Sequence, residues 1–279
     1  MDIGKILREY GVRPSKGLAQ NFLVSEGVLD KIVAASELDP ADVVLEVGPG
    51  LGLMTRRLAE AARAVVAIEL DRRMIAILSD RLADLPNVHI VEADILAVEP
   101  AEVIAERLGE GASGSPYKVV ANLPYYITSA ALRHLLESSR RPQSLTVMVQ
   151  REVAQRIAAE PGAMSLLALS VQVYGRPEIV VRVPAGAFYP PPKVDSAVVR
   201  VRVYDEPVAP EALRERLFRV ARAGFEQKRK QLINSLSANL RLPREAVVEG
   251  LTRAGIAPTA RPQTLSVEDW LRLAEALPA

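Results

Sequence analysis

Residues Val43–Gly52 read Val-Val-Leu-Glu-Val-Gly-Pro-Gly-Leu-Gly. The first five form a mostly apolar run, which is typical of a buried strand in a parallel sheet. The glycines that follow allow a tight turn and let a ligand approach the backbone closely. Because a helical pattern begins near residue 52, the stretch predicts a strand–turn–helix unit with a ligand site at the end of its strand.

The same alternation of short apolar runs and amphipathic helices continues as far as residue 150. Further strand candidates are Val65–Glu69, Val88–Glu92, Tyr117–Ala121 and Leu145–Val149. Helical patterns lie between the strands, near 52–62, 71–83, 100–108 and 129–138. Continuous apolar strands separated by helices predict a parallel sheet covered on both faces, which is a doubly wound α/β domain.

The C-terminal part of the chain has a different pattern. Ala197–Val203 alternates apolar and polar residues, as a strand with one more exposed face does. Asp205–Pro210 reads as a linker, and the pattern after it is helical, with Trp270 in the core of the last helix. We therefore predict an α/β domain over residues 1–206 and a small helical domain over residues 207–279.

The composition excludes several classes of protein. The chain of 279 residues is 49% hydrophobic and 25% charged, as an ordinary globular protein is. It has no cysteine and only two histidines, so we expect no disulfide and no metal cofactor. No apolar run is long enough to span a bilayer, and the N-terminus lacks a signal-peptide pattern. We expect a cytoplasmic monomer with no membrane partner.

The net charge of +1 conceals an uneven distribution. Residues 32–118 hold 15 acidic and 8 basic side chains, whereas residues 214–230 hold 2 acidic and 7 basic ones. A basic surface beside an acidic half is typical of a polyanion-binding enzyme, although exposed helix faces also carry such runs. The candidate contacts with such a polyanion are Lys193, Arg222, Lys228, Arg229 and Lys230.

The glycine turn fits a nucleoside better than a dinucleotide. In the dinucleotide fingerprint the third glycine comes three residues after the second, but that position is Leu53 here, and Pro49 has no N–H for a pyrophosphate. A ligand without a pyrophosphate, such as S-adenosylmethionine, would approach the backbone at Gly48 and Gly50. A purely structural glycine turn is the alternative.

Acidic residues follow the next two strands. Glu69 ends the second strand, where a carboxylate can accept both hydroxyls of an unmodified ribose. Asp94, just after the third strand, can accept an adenine amine while Ile95 packs on the ring. Asp71 is better explained as the N-cap of a helix. Because the carboxyl ends of parallel strands meet at one edge, these side chains predict a nucleoside-cofactor site.

Asn122-Leu123-Pro124-Tyr125 follows the fourth strand and belongs to the same predicted edge. The amide oxygen of Asn122 can accept one hydrogen of an amine, and the carbonyl of Leu123 or Pro124 can accept the other. Tyr125 can cover a flat ring held between them. The set suits the exocyclic amine of a nucleobase. The alternative is a strand end followed by a proline turn with a half-buried tyrosine.

Two flanking stretches add to this site. Lys16–Leu23 (Lys-Gly-Leu-Ala-Gln-Asn-Phe-Leu) places the amides of Gln20 and Asn21 before an apolar pair. Phe188–Ser196 (Phe-Tyr-Pro-Pro-Pro-Lys-Val-Asp-Ser) is a stiff loop that can hold an aromatic ring above the sheet edge. The alternatives are an N-terminal lid packed on the core and a stiff hairpin connection.

Together these motifs resemble the KsgA-type ribosomal RNA adenine dimethyltransferases, which use S-adenosylmethionine. The resemblance extends from about Lys16 to the region of Asn239 and includes Phe225–Leu232 (Phe-Glu-Gln-Lys-Arg-Lys-Gln-Leu). The chain departs from the family at Leu18-Ala19, where Phe-Gly is usual, and at Pro161–Ser165, where a Tyr-Gly turn is usual. Neither departure touches the motifs of the predicted site.

The resemblance implies a Rossmann-like class I methyltransferase sheet with an antiparallel last strand, and a helical domain that helps to bind RNA. It implies N6,N6-dimethylation of two adjacent adenosines in the 3′-terminal hairpin loop of small-subunit rRNA, within a pre-ribosomal particle of the 30S type. The implied catalytic residues are Asn122, Leu123, Pro124, Tyr125 and Phe188, the two aromatic rings sandwiching the base. The implied cofactor residues are Gln20, Asn21, Leu23, Gly48, Gly50, Glu69, Asp94, Ile95 and Asn122.

Three other functions fit parts of the sequence. An Erm-type enzyme methylates an adenine of large-subunit rRNA, but such enzymes more often have Asn-Ile-Pro-Tyr and lack the proline-rich loop, so Leu123 and Pro190–Ser196 favour the KsgA type. A non-catalytic ribosome-assembly factor on the same fold is disfavoured by the intact Asn122 and Tyr125. Leu53 counts against a nicotinamide-dependent oxidoreductase.

Overall fold

The computed structural model describes residues 3–12, 20–109, 115–227 and 230–278. The strands are β1 (Phe22–Leu23), β2 (Val43–Val47), β3 (Ala64–Glu69), β4 (Val88–Glu92), β5 (Tyr117–Asn122), β6 (Ser144–Gln150), β7 (Gly175–Val183), β8 (Phe188–Tyr189) and β9 (Ser196–Val203). The helices are α1 (Ile3–Glu9), α2 (Glu26–Ala35), α3 (Leu53–Ala61), α4 (Arg72–Arg81), α5 (Pro100–Leu108), α6 (Thr128–Glu137), α7 (Arg151–Ile157), α8 (Leu166–Gln172), α9 (Glu211–Phe225), α10 (Leu232–Leu240), α11 (Arg244–Arg253) and α12 (Val267–Ala276).

A mixed sheet has the strand order β4-β3-β2-β5-β6-β9-β7. Strands β2 to β6 pair in parallel, and β9 pairs antiparallel with β6. The predicted doubly wound sheet with an antiparallel late strand is therefore confirmed. The chain runs outward from β2 to β4 and then returns to β5 on the other side of β2. Such a reversal opens a crevice at the carboxyl ends of the strands, where ligands bind in this class of fold.

Apolar side chains from the sheet and its helices form two buried clusters. One joins β2, β3 and β5 to α2 and α3, with Leu29 and Leu58 contributed by the helices. The other joins Leu7 of α1 and Met74 of α4 to Phe22. Phe22 belongs to residues 20–23, the described part of the Lys16–Leu23 stretch, which is called the N-terminal motif below. The second cluster therefore holds that motif against the body of the fold by burying its aromatic ring.

The described residues fall into two compact units. The first unit consists of residues up to 154 together with 177–203, and the second consists of 155–176 and the residues from 204 onward. The second unit thus also includes α8, which packs against α9. The domain boundary at 206/207 stays a prediction. The sequence did not show that α8 belongs to the second unit, because α8 lies between β6 and β7 along the chain.

The second unit has its own core. Helix α9 packs against α10 and α12, and Trp270 of α12 is fully buried with its ring centroid 5.1 Å from that of Phe225. Ser266 and Asp269 form a capping box that starts α12. The predicted position of Trp270 in the core of the last helix is confirmed. Within the described ranges, no helix combines the length and the apolarity that crossing a membrane requires.

Candidate functional site

A cavity of about 300 Å³ lies in the first unit at the carboxyl edge of the sheet. Its lining includes Gly48 after β2, Glu69 at the end of β3, Asp94 after β4 and Asn122 at the end of β5. The volume is at the lower end of the range of small-molecule sites. The predicted cofactor residues that line it together are Gln20, Asn21, Leu23, Gly48, Gly50, Glu69, Asp94, Ile95 and Asn122.

The glycine turn forms one wall of the cavity. Gly48 and Gly50 have φ values of 69° and 59°, in the left-handed region that glycine adopts without strain. A Cβ atom at Gly50 would lie 3.2 Å from the ring of Phe22. The turn therefore requires glycine at position 50 both for its backbone angle and for the close approach of the N-terminal motif.

Glu69 is held rigidly at the cavity wall. Its Oε1 accepts hydrogen bonds from the backbone N–H groups of Leu70 and Asp71, each at 2.9 Å, and its Oε2 accepts one from Gly50 at 3.2 Å. Burial raises the pKa of this carboxyl above its usual range, and these backbone donors oppose the shift. Because a carboxylate has about four acceptor positions and three are occupied, Oε2 of Glu69 can also accept a hydroxyl group of a ligand.

Asp71 ties the N-terminal motif to the end of β3. It is the N-cap of α4, as predicted, and accepts a hydrogen bond from the backbone of Arg73. Its Oδ2 also accepts one from the side-chain amide of Gln20 at 2.9 Å. The guanidinium of Arg73 is the main cause that lowers the pKa of Asp71. An ionised carboxylate makes the stronger acceptor, so the link to Gln20 persists at neutral pH.

The side chain of Asn122 lines the cavity and is held by a hydrogen bond to the backbone. Its Nδ2 donates to the backbone carbonyl of Asn21 at 3.3 Å, which leaves Oδ1 as the end of the amide that can accept. The carbonyl of Pro124 accepts from the backbone N–H of Ile127 at 3.1 Å in the turn that leads into α6. Since that carbonyl is engaged, the Leu123 carbonyl is the better second acceptor for an amine.

Tyr125 and Tyr126 lie side by side at the cavity. Tyr125 is partly buried, and its hydroxyl lies 2.8 Å from the hydroxyl of Ser196. Burial raises the pKa of Tyr125, so its hydroxyl is neutral over the physiological range. Tyr126 is 58% exposed and lines the same cavity. An aromatic surface is thus available to a flat ligand beside the Asn122 amide.

Phe188 is placed differently from the sequence prediction. It pairs with Leu23 in the short ladder of β1 and β8 and is only 4% exposed. Its side chain belongs to the core cluster that includes Met148 and Val198 and is not among the described residues that line the cavity. The neighbouring Tyr189 is 43% exposed. The ladder turns alternate side chains to opposite sides, and it is Phe188 that faces the core.

The lining residues that were not predicted as site residues include Glu46, Leu70 and Tyr126. Glu46 is fully buried, its carboxyl makes no hydrogen bond within the described residues, and burial raises its pKa to about 8. Leu70 and Tyr126 are more than half exposed, with 51% and 58% of their surfaces accessible. Each lies directly beside a motif residue that was predicted, so adjacency to a strand end was the available signal.

The predicted RNA contacts are distributed over both units. Lys193 and Lys230 are exposed, one in each unit. Arg222 is exposed on α9 and, with Arg219, lines a cavity of about 500 Å³ within the second unit. Lys228 and Arg229 lie outside the described residues, as do Leu18 and Ala19.

Comparison with known proteins agrees with this geometry. The model of the family described as "Ribosomal RNA adenine dimethylase" matches residues 13–278. Ribosomal RNA small subunit methyltransferase A of Dehalococcoides mccartyi (strain ATCC BAA-2266) is 46% identical over 269 residues, which are 96% of this chain and 90% of the relative. The protein of the same name from Alkaliphilus metalliredigens is 41% identical and covers 98% of this chain and 95% of the relative.

Solved structures show the same fold. The crystal structure of 23S rRNA methyltransferase ErmE has a TM-score of 0.72 and 34% identity, over 92% of this chain and 99% of that one. A dimethyladenosine transferase from Plasmodium falciparum has a TM-score of 0.75 and 25% identity, over 90% of this chain and 95% of that one. The fold is therefore the Rossmann-like methyltransferase fold, and the chain belongs to the ribosomal RNA adenine dimethylase family.

Proposed function

We propose that this protein transfers methyl groups from S-adenosylmethionine to the N6 amines of two adjacent adenosines in the 3′-terminal hairpin loop of small-subunit rRNA. The observation that carries the proposal is the Asn122 amide at the edge of a nucleoside-sized cavity, where its nitrogen donates to Asn21 and its oxygen accepts no hydrogen bond from the described residues. The relatives at 46% and 41% identity are named for the small subunit, which favours that substrate over the large subunit.

The cavity fits the cofactor by its donor and acceptor set. When bound, S-adenosylmethionine supplies an electrophilic sulfonium methyl group. Glu69 would accept a ribose hydroxyl, and Asp94 would accept the adenine amine. Leu70 and Ile95, which line the same cavity, would pack on the faces of that adenine. The close approach to the backbone that the ligand requires is available at Gly48 and Gly50, where φ is positive.

The target adenine would be held by its amine. Oδ1 of Asn122 and the carbonyl of Leu123 would accept the two amine hydrogens and so localise the nitrogen lone pair toward the cavity. Tyr125 would stack on the base, a contact that contributes about 1–3 kcal/mol per base in other nucleic-acid complexes. Most of the rate enhancement would come from positioning and fixed dipoles. A strong base is not required, because the amine carries a positive charge once it has accepted the methyl group, and this acidic cation then loses its proton to water.

Phe188 would cover the other face of the base only after leaving its core position. The ring is 4% exposed in this structure, so the sandwich requires movement of the loop that contains β8. Flipping a base out of a loop costs a few kcal/mol, less than flipping it out of a duplex. The Phe188→Leu variant described in the Discussion tests whether this loop moves on binding.

The second unit would bind the rRNA through basic side chains of its own. Arg219 and Arg222 lie one helical turn apart on α9 and share a cavity with Asn239 and Glu226. Neither guanidinium has a partner among the residues that the structure describes. Two unpaired arginines beside an amide suit the phosphate and sugar groups of RNA. We further propose that the protein acts as a cytoplasmic monomer on a pre-ribosomal particle.

The direct test uses both ribosomal subunits. The protein is incubated with methyl-labelled cofactor and with undermethylated small or large subunits, and the modified base is mapped. We expect label in adjacent adenosines of the small-subunit rRNA. Label confined to the large subunit would support the Erm-type alternative, which the 34% identity to ErmE keeps relevant. An Asn122→Ala protein that restores ribosome assembly but transfers no label would indicate an assembly role independent of catalysis.

A further inference from the structure

The hydroxyl of Tyr125 contacts a buried residue from a distant part of the chain. Its partner, Ser196, is fully buried and is the first residue of β9. The two oxygens are 2.8 Å apart. Ser196 also ends the proline-rich loop that begins at Phe188. The bond therefore joins Tyr125, which lines the cavity, to the last residue of the proline-rich loop.

We propose that Ser196 is a positioning residue for the methyl transfer, fixing the ring of Tyr125 where it stacks on the target adenine. This inference rests on the proposed function and deepens it. Tyr125 touches the base, and Ser196 acts only through Tyr125. The proposal explains why the stacking residue is a tyrosine, since phenylalanine offers the same ring face without the hydroxyl.

The geometry of a tyrosine side chain determines what such a bond can fix. The hydroxyl lies on the axis about which the ring rotates, so holding it does not restrict rotation of the ring plane. A change of the first side-chain torsion, in contrast, moves the hydroxyl by several ångströms. Anchoring the hydroxyl therefore selects one rotamer. A preorganised rotamer avoids the loss of side-chain freedom that would otherwise accompany base binding.

Ser196 is itself held firmly. It pairs with Gln150 in the β6–β9 ladder. The side-chain carboxylate of the preceding residue, Asp195, accepts a hydrogen bond from the backbone N–H of Ala185 at 3.1 Å. The backbone carbonyl of Asp195 accepts one from the backbone N–H of Arg151 at 3.0 Å. β6 also pairs with β5, which ends at Asn122. The two side chains proposed to contact the base, Asn122 and Tyr125, are thus both supported by the paired strands β5, β6 and β9.

Burial alone does not explain the Tyr125 bond. The hydroxyls of Thr146 and Ser235 are also buried, and neither makes a hydrogen bond within the described part of the chain. The fold therefore tolerates buried hydroxyls that have no partner. The partner of Ser196 is instead a side chain that lines the cavity, 71 residues away in sequence.

A double-mutant cycle tests the inference. Ser196→Ala, Tyr125→Phe and the double variant are compared in single-turnover methylation of small subunits at saturating RNA and cofactor. We expect each single variant to lose about fivefold in rate, on the scale of one neutral hydrogen bond, and the double variant to lose no more than either single one. Cofactor affinity should change by less than about twofold, because neither side chain is assigned to the cofactor.

Thr146→Val is the matched control, because it removes another buried hydroxyl from the neighbouring strand β6. Its rate should equal that of the wild type. A wild-type rate in Tyr125→Phe, or losses that multiply in the double variant, would overturn the positioning role. Tyr125→Phe decides the question even if Ser196→Ala proves unstable in thermal unfolding. A wild-type protein that methylates no adenosine would overturn the proposed function, and this inference with it.

Discussion

The side-chain nitrogen of Asn122 lies 3.3 Å from the backbone carbonyl oxygen of Asn21. A carbonyl can only accept, so this contact fixes the nitrogen of the amide on Asn21 and leaves its oxygen as the acceptor end. The residue that would hold the substrate amine is thus oriented by a segment whose neighbours line the cofactor site. The N-terminal motif therefore supports both the proposed cofactor site and Asn122, the proposed acceptor of the substrate amine.

Asn122→Ala should lower the single-turnover methylation rate by about a hundredfold or more, the scale of losing a preorganised polar group. Cofactor affinity, measured separately by calorimetric titration, should stay within about tenfold of wild type. An unchanged rate would contradict the assigned role.

Asn122→Asp sharpens that test. The variant keeps an acceptor at the cavity, but its second oxygen would face the Asn21 carbonyl, where no hydrogen is available for a bond. We expect a rate nearer to that of Asn122→Ala than to wild type. Recovery of most of the activity would show that the contact with Asn21 does not control the amide.

Gly50→Ala should weaken cofactor binding by about tenfold or more. A left-handed residue with a Cβ costs about 1–2 kcal/mol, and the new atom would lie 3.2 Å from the Phe22 ring. Gly27→Ala is the control, because no atom lies within 4 Å of its added Cβ and the residue is in α2. Calorimetric titration should show an unchanged affinity for Gly27→Ala. Equal affinities for both variants would contradict the role of the glycine turn.

Glu46 should make the cofactor-free protein less stable as pH rises. Its pKa is raised by burial from 4.5 to about 8, so between these values the folded state keeps a proton that the unfolded state has released. The free energy of unfolding therefore falls as pH increases through this window. Glu46→Gln cannot titrate and should flatten the fall. Urea unfolding at several pH values measures it, and parallel curves for both proteins would refute the explanation.

Charge reversal at Arg219 and Arg222 should weaken binding to small subunits and flatten its salt dependence. Each lost phosphate contact reduces the slope of log K against log salt by about one. Cofactor affinity should not change, since neither residue lines the cavity of the first unit. Arg107→Glu, exposed on α5 in the acidic region, is the control and should keep the wild-type slope. A wild-type slope in the α9 variants would remove these residues from the RNA interface.

Phe188→Leu separates the two roles of that ring. Leucine keeps an apolar side chain in the core, so the free energy of unfolding should fall by less than about 1.5 kcal/mol. If Phe188 stacks on the base after loop movement, the methylation rate should fall about tenfold, since stacking contributes about 1–3 kcal/mol. A wild-type rate would limit Phe188 to packing with Leu23 and its neighbours.

The central strands could be predicted because a strand that is buried on both faces is almost continuously apolar in sequence. β2 and β4 match the predicted ranges, and β3, β5 and β6 extend them by one or two residues. β7 was missed because Arg176, Glu178 and Arg182 interrupt any apolar pattern, and most of its residues are not buried. Its position at the edge of the sheet explains that composition.

The site was predictable where a residue follows a strand and less so where tertiary packing decides. Gly48, Glu69, Asp94 and Asn122 meet at one edge because parallel strands end there. The two-residue strands β1 and β8 are too short for any periodicity, so the burial of Phe188 could not be foreseen. Glu46 looked like an ordinary strand residue, since only the surrounding structure shows its unpartnered carboxyl.

The parallel pairing of β2 with β5 aligns Val43 with Tyr117 and Val47 with Ala121. These partners are remote along the chain, so their association is non-local. The chain loses loop-closure entropy before any stabilising contact between the two strands forms. The cavity cannot exist until that event has occurred. A fragment ending before Tyr117 would contain the whole glycine turn and still lack one wall of the pocket. Ligand capture during refolding therefore reports when the two halves of the sheet have joined.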